Sequence, residues 1–300
     1  MTLDVQTFFD EATFTATHLV TDPVTKTAAI IDPVLDYDPR GAKITTTSAD
    51  AILAAVREQG LDLVYVLETH AHADHLSAAG YIRKQTGAKV VIGSEITQVQ
   101  RAFIPLFEAD DVSPDGASFD QLLREDDELP LGQLAIRNIH TPGHTPACVT
   151  YLIGDAAFVG DTLFMPDYGT ARADFPGGDA ATLYRSIHKI LALPDATRVF
   201  VGHDYLPPGR TEFRWETTVG EQRAQNAQIG DGVSEAAFVA MRQARDKTLA
   251  APALILPALQ VNIRAGDLPA PSGSGRIFLK LPLTVASGEY GGKQDLGRRQ

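Results

Sequence analysis

The chain has 300 residues, of which 44% are hydrophobic and 21% charged, so a sizeable buried core is expected. A formal net charge of −12 and a sequence pI near 5.0 argue against nucleic acid or an anionic membrane as partner. One cysteine, Cys148, excludes an internal disulfide framework. The opening "MTLDVQTFFD" lacks the basic and apolar regions of a secretory signal, and no apolar run reaches the ~20 residues of a membrane span. A cytoplasmic, reduced setting is expected.

In chain order, "TATHLVTD" and "TAAIIDP" read as paired strands, the second stopped by Pro33. "SADAILAAVREQG" reads as a helix with Ser48 as N-cap and Gly60 as stop. "LDLVYVLE" is a near-continuous apolar run of the kind buried on both faces of a sheet. A helix over "HLSAAGYIRKQTG" and a strand over "AKVVIGS" follow. The acidic, turn-rich stretch 108–130 reads as a surface connection. Strands return in "LAIRNIH", "ACVTYLIGD" and "AAFVGD", then a helix over "DAATLYRSIHKILAL" and a strand over "TRVFVGH". The pattern turns helical from Glu216 to about Ala250. The last fifty residues look irregular, apart from an edge strand expected in "RIFLKLPL". The strand–helix alternation occurs twice, which predicts two similar halves packed face to face.

Each polar cluster directly follows an apolar strand. His70, His72, Asp74 and His75 follow "LVYVLE", His144 follows "LAIRNI", Asp161 follows "AAFVG" and His203 follows "RVFVG". Sites in open α/β sheets gather beyond the carboxyl ends of strands, so these residues can converge on one point. Imidazole and carboxylate together suit zinc or iron, and the lack of cysteine in every cluster argues against a closed thiolate zinc site. Seven donors exceed the needs of one tetrahedral ion, so either two ions bind or some of the seven support the others. His18, His140 and His188 stand outside any such cluster and read as structural. Cys148, within a strand, reads as a small buried hydrophobe.

The run "THAHADH", "TPGHT", "GDTLF", "GHDY" resembles the metallo-β-lactamase superfamily, in that order and across most of the chain. The resemblance implies an α/β fold: an αββα sandwich of two mixed sheets flanked by helices. It would form a single domain over 1–300, with a helical and irregular C-terminal extension from about 216. Within the superfamily, "TPGHTPACVTYLIGD", "ARADFPGGDAATLYRSIHKILALP" and "LPALQVNIRAGDLP" are similar to the persulfide dioxygenases, the ETHE1-like group. One departure is the family's short G-C-G-R-T-D-F segment, which stands here as the longer "MPDYGTARADF".

That resemblance implies one Fe(II) per chain, held by His70, His144 and Asp161. His72, Asp74, His75 and His203 would support these or hold a second metal. The implied reaction takes glutathione persulfide, O2 and water to glutathione and sulfite. Arg172 would pair with a glutathione carboxylate and Tyr205 would donate to its peptide. The partners are then small molecules, without nucleic acid or membrane, and a homodimer is compatible with all of this. The rival is a glyoxalase II-like thioester hydrolase with two Zn(II) ions and a bridging hydroxide.

Overall fold

The computed structural model describes residues 3–284. Its first half runs β1 (Asp4–Asp10), β2 (Thr15–Thr21), β3 (Thr27–Ile31), β4 (Val34–Asp38), β5 (Lys43–Thr45), α1 (Thr47–Glu58), β6 (Asp62–Leu67), β7 (Leu76–Ser77), α2 (Ala79–Thr86), β8 (Lys89–Gly93), α3 (Ile96–Phe107) and β9 (Gln121–Leu123). Strands β1-β2-β3-β6-β8-β9, in that order, form a six-stranded sheet, while β5, β4 and β7 form a small separate one. The β1–β2 and β2–β3 pairs are antiparallel, and β3, β6, β8 and β9 run parallel. Parallel neighbours need crossovers, which α1, α2 and α3 supply.

The second half runs β10 (Glu128–Leu131), β11 (Leu134–His140), β12 (Val149–Ile153), β13 (Ala156–Phe158), α4 (Ala180–Leu191), β14 (Arg198–Phe200), β15 (Glu216–Thr218), α5 (Val219–Gln225), α6 (Glu235–Asp246) and α7 (Ile255–Asn262). Its six strands pair in sequence order, and only β13–β14 is parallel. The right partner for each face is written in the strands. In β3, Ala28 and Ile30 point into a core shared with α1, α2 and α3, whereas Ala29 and Ile31 point between the two sheets. Burial on both faces is why β3, β6 and β8 read as continuous apolar runs. A third core lies beyond the second sheet, where Leu183, Ile187 and Ile190 of α4 and Phe238 of α6 cover Ala157, Val199 and Val201. The result is the expected αββα sandwich.

The two sheets join where the site lies. Ala16 N–H donates to the Gly202 carbonyl at 2.8 Å, and His18 Nε2 lies 3.1 Å from the Val201 carbonyl. His18 therefore has a structural role, as expected. Gly160 lets the sheets meet: a Cβ there would stand 2.4 Å from Thr69 Oγ1.

Several expected elements differ. Ser48 is not the cap of α1 but lies inside its first turn, where both its N–H and its hydroxyl donate to Asp36 of β4. The carboxylate from another element thus does the capping. The helix expected over 75–87 starts only at Ala79, because Leu76 and Ser77 pair with β4. The stretch 108–130 holds β9 and the start of β10, the hand-over from one sheet to the other. "RIFLKLPL" is not a strand: the backbone of Lys280 bonds at both N–H and carbonyl to the Gln260 side chain of α7. A side chain takes the groups a ladder would need, and Pro282 has no N–H to offer. Helix α7 lies in the tail expected to be irregular, and residues of that tail beyond 284 fall outside the described ones. Strand β1 and helix α3 occupy stretches where no element was expected.

Candidate metal centre

The strand ends do converge. His70 follows β6, His144 follows β11 and Asp161 follows β13. A donor atom from each lies within 4.8 Å of the others. His144 Nε2 is 3.6 Å and His70 Nε2 is 3.9 Å from Asp161 Oδ2. His72, Asp74, His75 and His203 form an adjoining group of the same tightness. Asp161 touches both groups, since its Oδ1 lies 3.3 Å from His203 Nε2.

The backbone sets how each ring faces. His144 Nδ1 lies 2.8 Å from the Arg172 carbonyl, which can only accept, so Nδ1 carries the proton and Nε2 presents its lone pair. His75 Nδ1 does the same to the Leu76 carbonyl, and His203 Nδ1 to that of Phe14. For His70 the partner is Thr69 Oγ1, whose own proton goes to Asp32 Oδ2 at 2.7 Å. His72 is turned the other way: its Nε2 faces Asp32 at 3.0 Å and Glu68 at 3.2 Å. Gly143 makes the "TPGHT" turn feasible. It has a φ of 134°, and a Cβ there would sit 2.3 Å from the Leu183 backbone of α4.

Most of the candidate donor atoms are orphans. His70 Nε2, His72 Nδ1, Asp74 Oδ2, His75 Nε2, Asp161 Oδ1 and His203 Nε2 are buried without a hydrogen-bond partner. Native interiors rarely leave such groups unpaired, and six in one place fit a metal cation. Electrostatics agree. Burial pushes the Asp161 carboxyl above its ordinary range, so it lacks enough positive charge nearby. Burial, reinforced by the neighbouring imidazoles, drives His70 well below the usual histidine value, and burial first of all takes His75 to about 3. Both are neutral at pH 7, the form that binds metal. For His203 burial opposes the charge, but Asp161 and Asp74 outweigh it and raise the value. Cys148 is buried, its thiol pushed up to about 12 by that burial, and its sulfur lies 3.3 Å from the Thr145 amide. It is a packing residue here.

A cavity of about 330 Å³ opens over His144, Asp161 and Asp74. Phe14, Phe164, Tyr168 and Tyr205 give it an aromatic wall, and Tyr205 also stacks on His203 with ring centroids 5.5 Å apart. Arg172 lines the same cavity, with its Nε and Nη2 donating to Asp174 at 2.5 and 2.8 Å.

Four supporting residues escaped the sequence reading. Asp32, Glu68 and Thr69 orient the imidazoles, and Asn262 of α7 pins their loop. Its amide donates to the carbonyls of His72 and His75 at 2.8 Å each, and its Oδ1 accepts from Ser77 N–H at 2.8 Å. Asp32 carried a signal, since it too directly follows an apolar strand. Asn262 lies in the quoted stretch "LPALQVNIRAGDLP", but nothing local pointed to its role, because its contacts span 185 residues or more.

The sequence profile of the Metallo-beta-lactamase superfamily matches residues 12–203. The Beta-lactamase hydrolase-like protein of Xylella fastidiosa is 52% identical over 284 residues, covering 95% of this chain and 65% of that protein. The chain thus spans just under two thirds of that relative's length. Glyoxylase B2 of Dictyostelium discoideum is 45% identical, covering 93% of this chain and 96% of its own. Human persulfide dioxygenase ETHE1, mitochondrial, is 33% identical over 74% of both chains. The crystal structure of ETHE1 from Myxococcus xanthus superposes with a TM-score of 0.70 at 32% identity, covering 88% of this chain and 100% of that one.

Proposed function

This chain belongs to the metallo-β-lactamase superfamily, in its ETHE1-like group, and we propose that it is a glutathione persulfide dioxygenase using one Fe(II). The observation that carries the reading is the compact set of His70, His144 and Asp161, the last two of which line the cavity. Two imidazoles and one carboxylate suit ferrous iron, which with this ligand set keeps coordination positions open to O2 and to a substrate sulfur. Similarity to two ETHE1 proteins supports it.

The chain's own groups prepare that site. Asp32 through Thr69, and the Arg172 carbonyl directly, fix the tautomers of His70 and His144. The aromatic wall keeps water from the sulfur end of the substrate. The Tyr205 hydroxyl is a hydrogen-bond donor to the peptide part. Burial, with Asp74 and Asp161 nearby, holds its pKa well above 10, so it stays protonated throughout the working range. The chain is expected to work without nucleic acid or membrane. Among the described residues no helix is long and apolar enough to cross a bilayer.

A second reading has its own support. The adjoining group of His72, Asp74, His75 and His203, with Asp161 touching both sets, could hold a second ion, and Glyoxylase B2 is the more similar relative. Two Zn(II) ions with a bridging hydroxide would make a thioester hydrolase. Anaerobically purified protein distinguishes them. The dioxygenase reading expects about one iron per chain and oxygen uptake with glutathione persulfide. Two tightly held zinc ions with rapid hydrolysis of a glutathione thioester, and no oxygen uptake, would replace it.

A further inference from the structure

Three arginines reach the cavity, Arg172, Arg242 and Arg245. Two of them are matched inside the protein. The Arg172 guanidinium is paired with Asp174, and its Nη1 donates to the Ala250 carbonyl at 2.7 Å. It straps the segment after α6 to the 170–174 loop. Arg242 is buried, with Nε and Nη2 on Asp246 Oδ1 at 2.8 and 2.7 Å and Nη1 3.2 Å from the Thr170 carbonyl. Arg245, one turn further along α6, is exposed and has no side-chain partner among the described residues.

An exposed cation without a side-chain partner in the lining of a cavity stands out in a chain with 38 acidic and 26 basic residues. That imbalance repels anions in general, so anionic substrate needs a local counter-charge. We propose that Arg245 is the specificity residue that captures a substrate carboxylate, making the preferred substrate a carboxylate-bearing persulfide. The inference rests on the persulfide reading above. Arg245 lines the same cavity as His144 and Asp161, so a molecule that fills it can touch both. The sequence pointed to Arg172 for this task, but its charge is already met by Asp174. A guanidinium can bind a carboxylate with two parallel bonds, which a neutral ester cannot accept with the same strength. The alternative is that Arg245 only complements the carbonyl end of α6, and such a role is indifferent to substrate charge.

Oxygen uptake is compared for iron-loaded wild type, Arg245→Gln and Arg245→Lys, using glutathione persulfide and its diethyl ester. For Arg245→Gln the KM for the acid rises about 10-fold, equivalent to about 1.4 kcal/mol. The KM for the ester moves little, and kcat falls less than KM rises because the contact is remote from the reacting sulfur. Arg245→Lys recovers part of the preference for the acid. An acid-to-ester KM ratio identical in wild type and Arg245→Gln overturns the role of Arg245. If the wild type takes up no oxygen with either compound, the persulfide reading fails instead. Calorimetric titration of the metal-loaded proteins with glutathione then still tests Arg245: weaker binding by Arg245→Gln, with a difference that shrinks as salt rises, upholds carboxylate capture. Equal binding rejects it.

Discussion

Oδ1 of Asp161 lies 3.3 Å from Nε2 of His203, and neither atom has a hydrogen-bond partner. The other oxygen of the same carboxylate faces His144 at 3.6 Å. One buried side chain therefore connects the two candidate donor groups.

Replacing Asp161 by Asn should separate metal binding from folding. The buried carboxylate is held above its ordinary pKa range by burial, so in metal-free protein it is a cost to the fold. The metal-free Asn variant is expected to be at least as stable as wild type, while its metal affinity drops by roughly 10-fold or more. Urea denaturation and metal analysis check both halves. A variant that binds metal as tightly as wild type would remove Asp161 from the site.

Asn262 is expected to matter to the metal although it lies 187 residues from His75 and touches no donor atom. Asn262→Ala leaves two carbonyls and one N–H without partners in a buried loop, a cost of about 3 kcal/mol at ~1 kcal/mol each. Because those carbonyls belong to His72 and His75, metal affinity should fall by roughly 10- to 100-fold. Denaturation midpoints and competitive metal titration measure the two effects. Lower stability with unchanged affinity would mean that the loop keeps its shape without the clamp.

His18 gives the protein a pH dependence unrelated to metal. Burial lowers its pKa to about 4, because the ring is enclosed between the sheets with its nitrogens on Thr7 Oγ1 and the Val201 carbonyl. The unfolded chain takes up the proton near pH 6.5, the folded chain only near pH 4. As pH falls through that window, stability is lost, by roughly 3 kcal/mol in total at 1.36 kcal/mol per pH unit. Above pH 6.5 this contribution is complete. His18→Gln should flatten the slope of unfolding free energy against pH between 4 and 6.5. An unchanged slope would assign the effect to another group.

The strand–helix order, the double alternation and the clustering of seven candidate donors were legible in the sequence, because burial on both faces leaves unbroken apolar runs. Polar residues directly after such runs stand out against them. The same rule would have found Asp32, which follows "TAAII". Boundaries that depend on a distant partner were not legible. Ser48 looks like a cap until Asp36 is brought to it, and "RIFLKLPL" looks like a strand until Gln260 takes the backbone groups of Lys280.

The sequence by itself named the candidate donors, since donor chemistry belongs to the side chain and strand ends fix the side of the sheet on which it emerges. Only the tertiary structure decided how they divide into two groups with Asp161 between them. It also decided which nitrogen of each imidazole faces inward, because that depends on the carbonyl or hydroxyl that folding sets against the other nitrogen. The arginines follow the same division. All three carry the same charge in the sequence, but whether a charge is spent or free depends on the carboxylate beside it. Asp174 and Asp246 answer Arg172 and Arg242, and Arg245 is left facing the cavity.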